Sequence, residues 1–340
     1  MVDARTDSHV PALGGGGDAA AVDSRVRIGD LVLRNPVMPA SGTFAEGLAP
    51  VVPFERLGAL VTKTVTPELR GGNPTPRVCE VGQGMLNSIG IPSKGLDYFV
   101  AHTVPFYRQF STPLVASISA PSADAFAAGV EKLAVPGVAV IEANISCPNI
   151  EEDGKAFAMD PRPTAQVVAR MRRATTLPLW VKLSPNTGDI ASVARAAADA
   201  GADALVVGNT ILAMSIDIET FRPRLGNVMG GLSGPGLKPI LVRMTYQCAR
   251  AVSIPIIGCG GIATAADAIE YMLAGASAVQ VGTATFVRPT AMLSVIDGLA
   301  AFCARKGIAR VADLTGALHD TDMKVEAHDH DHDHMREAVS

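Results

Sequence analysis

The sequence predicts an α/β fold, a (β/α)8 TIM barrel with its active site at the C-terminal face of the strands. Three observations carry this. Eight short apolar runs punctuate the middle of the chain, most of them continuous in Val, Ile and Leu, the pattern of parallel strands covered on both faces. Amphipathic segments fill most of the gaps between them. No G-x-G-x-x-G closes the first run, which disfavours a doubly wound open sheet, the nearest alternative.

In order, the strands are expected at 36–40, 59–62, 113–118, 138–145, 179–183, 204–207, 255–257 and 278–281. Helical segments follow from the third onward: "ADAFAAGVEKLA", "PTAQVVARMRRATT", "DIASVARAAADAG", "KPILVRMTYQCARAV", "TAADAIEYMLAG" and "AMLSVIDGLAAFCARKG". In the fourth of these, Ile240, Met244, Cys248 and Ala251 share one helical face. Thr264 and Asp267 form a Thr-x-x-Asp start, and Gly201 and Gly275 stand where a helix ends in a left-handed residue. Two connections, 64–112 and 211–237, are too long for plain turns and follow strand ends, where barrel enzymes build their sites.

Composition narrows the function. With 48% hydrophobic and 18% charged residues, the 340-residue chain can bury a large core. The net charge of −4, with no long basic run, argues against nucleic acid. Five cysteines (79, 147, 248, 259 and 303) without a CxxC pair imply a reducing compartment and no metal cluster held by this chain alone. Early acids and no apolar leader, together with no long apolar span, lead us to expect a cytoplasmic protein that neither enters a membrane nor binds nucleic acid. Residues 1–24, with "GGGGDAAA", are expected to be a flexible arm, 25–317 the barrel, and 318–340, with "AHDHDHDHM", a solvated tail rather than a metal site.

The residues that close the strands are unusually reactive for a core. They are Ser41, Lys63-Thr64, Ser117 and Ser119, Asn144 with Cys147, Lys182, Asn209-Thr210, Gly260-Gly261 and Gly282-Thr283. Two lysines on one barrel mouth are hard to dismiss as rim charges. The glycines after the last two strands suit close approach of backbone N–H groups to a phosphate, helped by a short helix after them. Only His102 among seven histidines lies outside the tails, so acid–base chemistry falls to Cys147, a lysine or a serine. A thiol is a plausible base where its pKa is lowered. A buried packing cysteine is the plainer alternative, but "SCPN" is a polar turn. On these residues alone, a sugar-phosphate isomerase or a binding module stays possible.

The motifs "NPVMPASGTF", "KTVTPELRGGNPTPR", "MLNSIGI", "EANISCPNI", "VKLSPN", "GNT", "GGLSGPGLKP", "PIIGCGGI" and "VQVGTATF", in this order over 25–317, resemble class 1 dihydroorotate dehydrogenases. Cys147 matches class 1, since class 2 enzymes carry Ser there. "GGLSGPGLKP" is similar to the NAD-linked subtype 1B. The nearer rivals are the fumarate-linked 1A type and FMN barrels acting on other dihydropyrimidines.

The resemblance implies an FMN-dependent oxidoreductase of pyrimidine biosynthesis, oxidising (S)-dihydroorotate to orotate. Cys147 would be the base taking the C5 proton. Lys63 would touch both flavin and substrate carboxylate. Asn87, Ser88, Ile89, Gly90, Ile91, Asn144, Asn149, Asn209 and Thr210 would form the substrate wall, with Asn144 also against the flavin. Lys182 would stand at the flavin N1/O2 edge, where a cation offsets charge gained on reduction. Ser41, Thr64, Ser117, Gly208, Gly234, Gly260, Gly261, Gly282 and Thr283 would complete the cofactor site. Two positions depart from the family. Ser117 stands where Asn is common, and Gly208 where Ile or a similar residue is usual, leaving that contact to backbone. The subtype implies a homodimer within a heterotetramer, with FAD and a [2Fe–2S] cluster on a partner subunit that passes electrons to NAD.

Overall fold

The computed structural model describes residues 22–146 and 157–319. At its centre are β1 (Val37–Pro39), β2 (Leu60–Val61), β3 (Leu114–Ile118), β4 (Val140–Asn144), β5 (Leu179–Lys182), β6 (Ala204–Val207), β7 (Ile256–Cys259) and β8 (Ala276–Val281). They pair in the order β1-β8-β7-β6-β5-β4-β3-β2, each pair parallel, so chain order runs round a cylinder. The seam between β1 and β2 is bridged by the Gly58 N–H, which donates to the Val37 carbonyl at 2.8 Å. A Cβ on Gly58 would lie 2.2 Å from the Asn35 carbonyl oxygen, so the seam requires glycine. All eight expected strands are present, within a few residues of their expected bounds.

Strand parity divides the side chains into two cores. Met38, Val61, Val115, Val140, Trp180, Val206, Ile257 and Ala278 pack inside the cylinder. Their neighbours Val37, Leu60, Ala116, Ile141, Val181, Leu205, Ile256 and Val279 pack outward against the helices. Trp180, the chain's single tryptophan, is fully buried inside. Truncating such a side chain costs about 3–5 kcal/mol.

The outer ring includes α1 (Ala123–Leu133), α2 (Pro161–Ala174), α3 (Ile190–Asp199), α4 (Lys238–Ala251), α5 (Ala265–Leu273) and α6 (Ala291–Lys306). Helix α5 opens with the expected capping box between Thr264 and Asp267, and Gly201 and Gly275 adopt φ of 103° and 114° after their helices. The expected face of α4 needs correction. Ile240 is exposed, and Leu241, Met244, Thr245 and Cys248 turn inward. Leu241 fills the space left by two glycines: a Cβ on Gly260 would meet its Cδ1 at 2.1 Å, and one on Gly208 its Cδ2 at 3.3 Å.

The two long connections are structured. Val78–Val81 and Gly84–Asn87 form a hairpin, joined to Met229–Ser233 and Ile211–Met214 in one antiparallel sheet over the mouth. The first connection also holds helical turns from Leu96 to Tyr107, with a π-helical stretch at Phe99–Thr103. Their pattern was not distinctive enough in the sequence to mark a helix.

Candidate active site

Register stacks the polar side chains at one end of the cylinder. Asn144 lies beside Lys182 across β4–β5, Glu142 beside Ser117 across β4–β3, and Cys259 beside Gln280 across β7–β8. Ser117, Glu142, Asn144, Lys182 and Gln280 are all buried. Buried polar groups must be partnered, and these are. Lys182 Nζ donates to Gln280 Oε1 at 3.1 Å and lies 3.5 Å from Ser41 Oγ and 3.7 Å from Cys259 Sγ. Gln280 Nε2 donates to Glu142 Oε2 at 2.6 Å, and Ser117 Oγ donates to Glu142 Oε1 at 3.0 Å. Burial pushes the Cys259 thiol pKa up, against the opposing pull of the Lys182 ammonium.

A second arm runs over the mouth. Thr64 and Ser117 hydroxyls meet at 2.9 Å, Asn144 Nδ2 donates to Thr64 at 3.3 Å, and Ser146 donates to Asn144 Oδ1 at 2.7 Å. Asn209 Nδ2 donates to Ser146 at 2.6 Å, and the Thr210 N–H donates to Asn209 Oδ1 at 2.8 Å. Lys63, next to Thr64, is half-buried without a hydrogen bond or ion pair among the described residues. Burial lowers its pKa from the ordinary 10.5. A desolvated ammonium facing a polar mouth favours an anionic ligand.

The raised sheet supplies the opposite wall. Asn87 Nδ2 donates to the Gly231 carbonyl at 3.2 Å, and Thr210 lies so close to Gly231 that a Cβ there would meet its Oγ1 at 2.0 Å. The 88–91 turn, containing Ser88, Ile89, Gly90 and Ile91, is held by the Asn73 amide, which donates to Ser88 Oγ at 2.8 Å. Gly90 and Ile91 have φ of 77° and 48°.

On the far side lies a cavity of about 380 Å³ lined by Gly234, Gly261, Thr283 and Arg288, among others. Gly234 and Gly261 have φ of 116° and 69°. A Cβ on Gly261 would lie 2.8 Å from the Lys238 nitrogen, and one on Gly234 2.7 Å from the Gly84 Cα. Only glycine fits at these two positions, so the chain can approach a bound phosphate closely there. Gly260 is braced by Tyr271, whose hydroxyl donates to its carbonyl at 2.6 Å. Gly282 is looser, its nearest neighbour to a Cβ being Ala40 at 3.5 Å. The combination of a glycine-lined cavity, a buried lysine and a polar mouth fits a phosphorylated planar cofactor such as FMN.

Hydrogen bonds thus link Ser41, Thr64, Ser117, Asn144, Lys182, Asn209 and Thr210 at one end of the cylinder, while Gly234, Gly261 and Thr283 line the cavity and Gly260 and Gly282 do not. Cys147 and Asn149 lie outside the described residues. Among the described residues no group of three His, Cys, Asp or Glu could hold a metal ion, and no helix is long and apolar enough to cross a membrane. Sequence reasoning assigned no role to Glu142, Gln280, Cys259, Ser146, Asn186 or Ser233. Asn186 Nδ2 donates to the Thr210 carbonyl, and Thr283 Oγ1 to Ser233 Oγ. The available signal was parity: Glu142 stands two residues before Asn144, a charged residue on the interior face of an apolar strand.

The chain is similar to known proteins over most of its length. A family model described as dihydroorotate dehydrogenase matches residues 24–303. The chain is 51% identical over 296 residues to a protein of Trichlorobacter lovleyi named dihydroorotate dehydrogenase B (NAD(+)), catalytic subunit, covering 86% of this chain and 97% of that one. Proteins of the same name from Pelobacter propionicus and Desulforamulus reducens are each 48% identical, covering 87% and 86% of this chain and 98% of theirs.

Proposed function

Because this chain belongs to the dihydroorotate dehydrogenase family, we propose that it oxidises (S)-dihydroorotate to orotate in pyrimidine biosynthesis as the catalytic subunit of an NAD-linked enzyme. The names of its relatives favour this over the fumarate-linked form. The observation that carries the reading is Lys63, a desolvated ammonium beside a mouth lined by the Asn144 and Asn209 amides.

FMN fits the site, and when bound it supplies the acceptor for the hydride from substrate C6. Gly234, Gly260, Gly261, Gly282 and Thr283 would hold its phosphate, with Ser41, Thr64, Ser117, Asn144, Lys182 and Gly208 beside its ring. The ammonium of Lys63 attracts the substrate carboxylate. Asn87, Asn144, Asn149 and Asn209 pair with the alternating N–H and C=O groups of the ring. Asn144 Nδ2 donates to Thr64 and its Oδ1 accepts from Ser146, which fixes the sense in which this amide is presented. Such pairing rejects analogues that leave a buried amide unmatched. Ser88, Ile89, Gly90, Ile91 and Thr210 close the wall around it. Cys147 takes the C5 proton as thiolate, and loss of that proton with the C6 hydride leaves the C5=C6 double bond of orotate.

The chain works with a second subunit carrying FAD and a [2Fe–2S] cluster, through which electrons reach NAD. The word "subunit" in the relatives' names supports a partner. Leu212, Met214 and Met229, exposed on the raised strands, and Ile216 just beyond them suit burial in a homodimer.

Cys147→Ala tests the assignment. The variant should bind orotate with wild-type affinity and reduce its FMN with dihydroorotate at least a hundredfold more slowly in a single turnover, about the scale of a lost general base. Reduction at the wild-type rate refutes the role of Cys147.

A further inference from the structure

Two hydrogen-bond chains end on one carboxylate. Glu142 has 0% exposure. On one side Lys182 donates to Gln280 Oε1, and Gln280 Nε2 donates to Glu142 Oε2. An ammonium can only donate and a carboxylate can only accept, so the flip of the Gln280 amide is fixed by chemistry. On the other side Ser117 spends its one hydroxyl proton on Glu142 Oε1, so Thr64 must donate to Ser117. Thr64 then accepts from Asn144 Nδ2, which turns Asn144 Oδ1 toward Ser146, and Ser146 accepts from Asn209. Every bond in both arms runs toward Glu142.

We propose that Glu142 is a positioning residue that sets the donor–acceptor sense of Asn144 and Asn209 toward the substrate and balances the charge of Lys182 in the cofactor site. The inference rests on the functional reading above. Glu142 lies one strand repeat below Asn144 on the same interior face and acts through its neighbours. A carboxylate is the one acceptor that enforces a single direction on both arms. An amide in its place could donate or accept, so either arm could reverse. Its negative charge also opposes further negative charge at the mouth, so removing it should make the flavin easier to reduce.

The test is Glu142→Gln in the FMN-loaded chain, with Glu142→Asp as the charge-conserving control. Dye equilibration should show the two-electron potential of bound FMN rising in Glu142→Gln by a tenfold change in the reduction equilibrium, about 30 mV. Orotate affinity, read from the flavin spectrum, should fall about tenfold. Glu142→Asp should return the potential toward wild type. An unshifted potential in Glu142→Gln, even with a lowered melting temperature, overturns the inference, as does an equal shift in Glu142→Asp. If Glu142→Gln does not fold, the paired variant Glu142→Leu/Gln280→Leu removes the same charge with both bonding partners replaced. It should raise the potential in the same sense, and an unchanged value overturns the inference. A wild-type chain that takes up no FMN removes the parent reading and this inference with it. FMN uptake with an unshifted potential removes this inference alone.

Discussion

Gly261→Ala probes the phosphate cradle with its own internal control. Gly261 holds φ at 69°, and a Cβ would meet the nitrogen, Cβ and Cα of Lys238 at 2.8, 2.9 and 3.0 Å. A left-handed alanine costs about 1–2 kcal/mol. Forcing a methyl against backbone at the start of α4 adds about 1–3 kcal/mol, and the stiffer unfolded chain returns less than about 1 kcal/mol. The apoprotein should therefore lose about 2–4 kcal/mol, visible as a lower melting temperature without ligand. Relief of the contact moves the 260–261 amides. Losing one charge-assisted hydrogen bond to the phosphate, about 1.5–3 kcal/mol, weakens FMN about ten- to a hundredfold. Quenching of FMN fluorescence on titration into apoprotein measures this. Gly188→Ala, outside the cradle, with nothing within 4 Å of an added Cβ and no left-handed φ, should leave both readouts within about twofold or 0.5 kcal/mol of wild type. Equal damage from the two substitutions, or wild-type FMN binding by Gly261→Ala, refutes the cradle geometry.

Further outcomes follow from groups around it. Lys63→Met should weaken orotate binding at least tenfold in a ligand titration while leaving apoprotein stability undiminished, because burial already disfavours the ammonium. In the wild type the unfolded state binds more protons between the lowered pKa of Lys63 and 10.5, so this group adds stability as pH rises through that window. Orotate affinity should fall across the same window as the charge is lost. Tyr271→Phe strands the Gly260 carbonyl now bonded at 2.6 Å and should cost about 1–3 kcal/mol in denaturant unfolding.

The barrel could be read from the sequence because strands covered on both faces leave unbroken apolar runs, as at 204–207, where every residue is buried. The four-stranded sheet over the mouth left no such run. Two of its strands alternate half-buried and exposed residues, as in Ile211–Met214, and its two hairpins join only by pairing across a gap of more than a hundred residues. Ile240 misled for a related reason: periodicity gives a helix a face but not the neighbour that claims it, and Leu241 was claimed by two distant glycines. The lysines and amides of the site were legible as polar residues closing strands. Glu142 and Gln280 were not, since their meaning lies in each other, 138 residues apart.

The solitary tryptophan inside the cylinder makes the protein its own light source. Trp180 precedes Lys182 by two residues on the same interior face, roughly 6–7 Å along the strand. Its indole, sealed from water, should emit at short wavelength. A chromophore settling on the mouth would drain that emission by resonance transfer, so seat occupancy could be followed in real time without any attached dye.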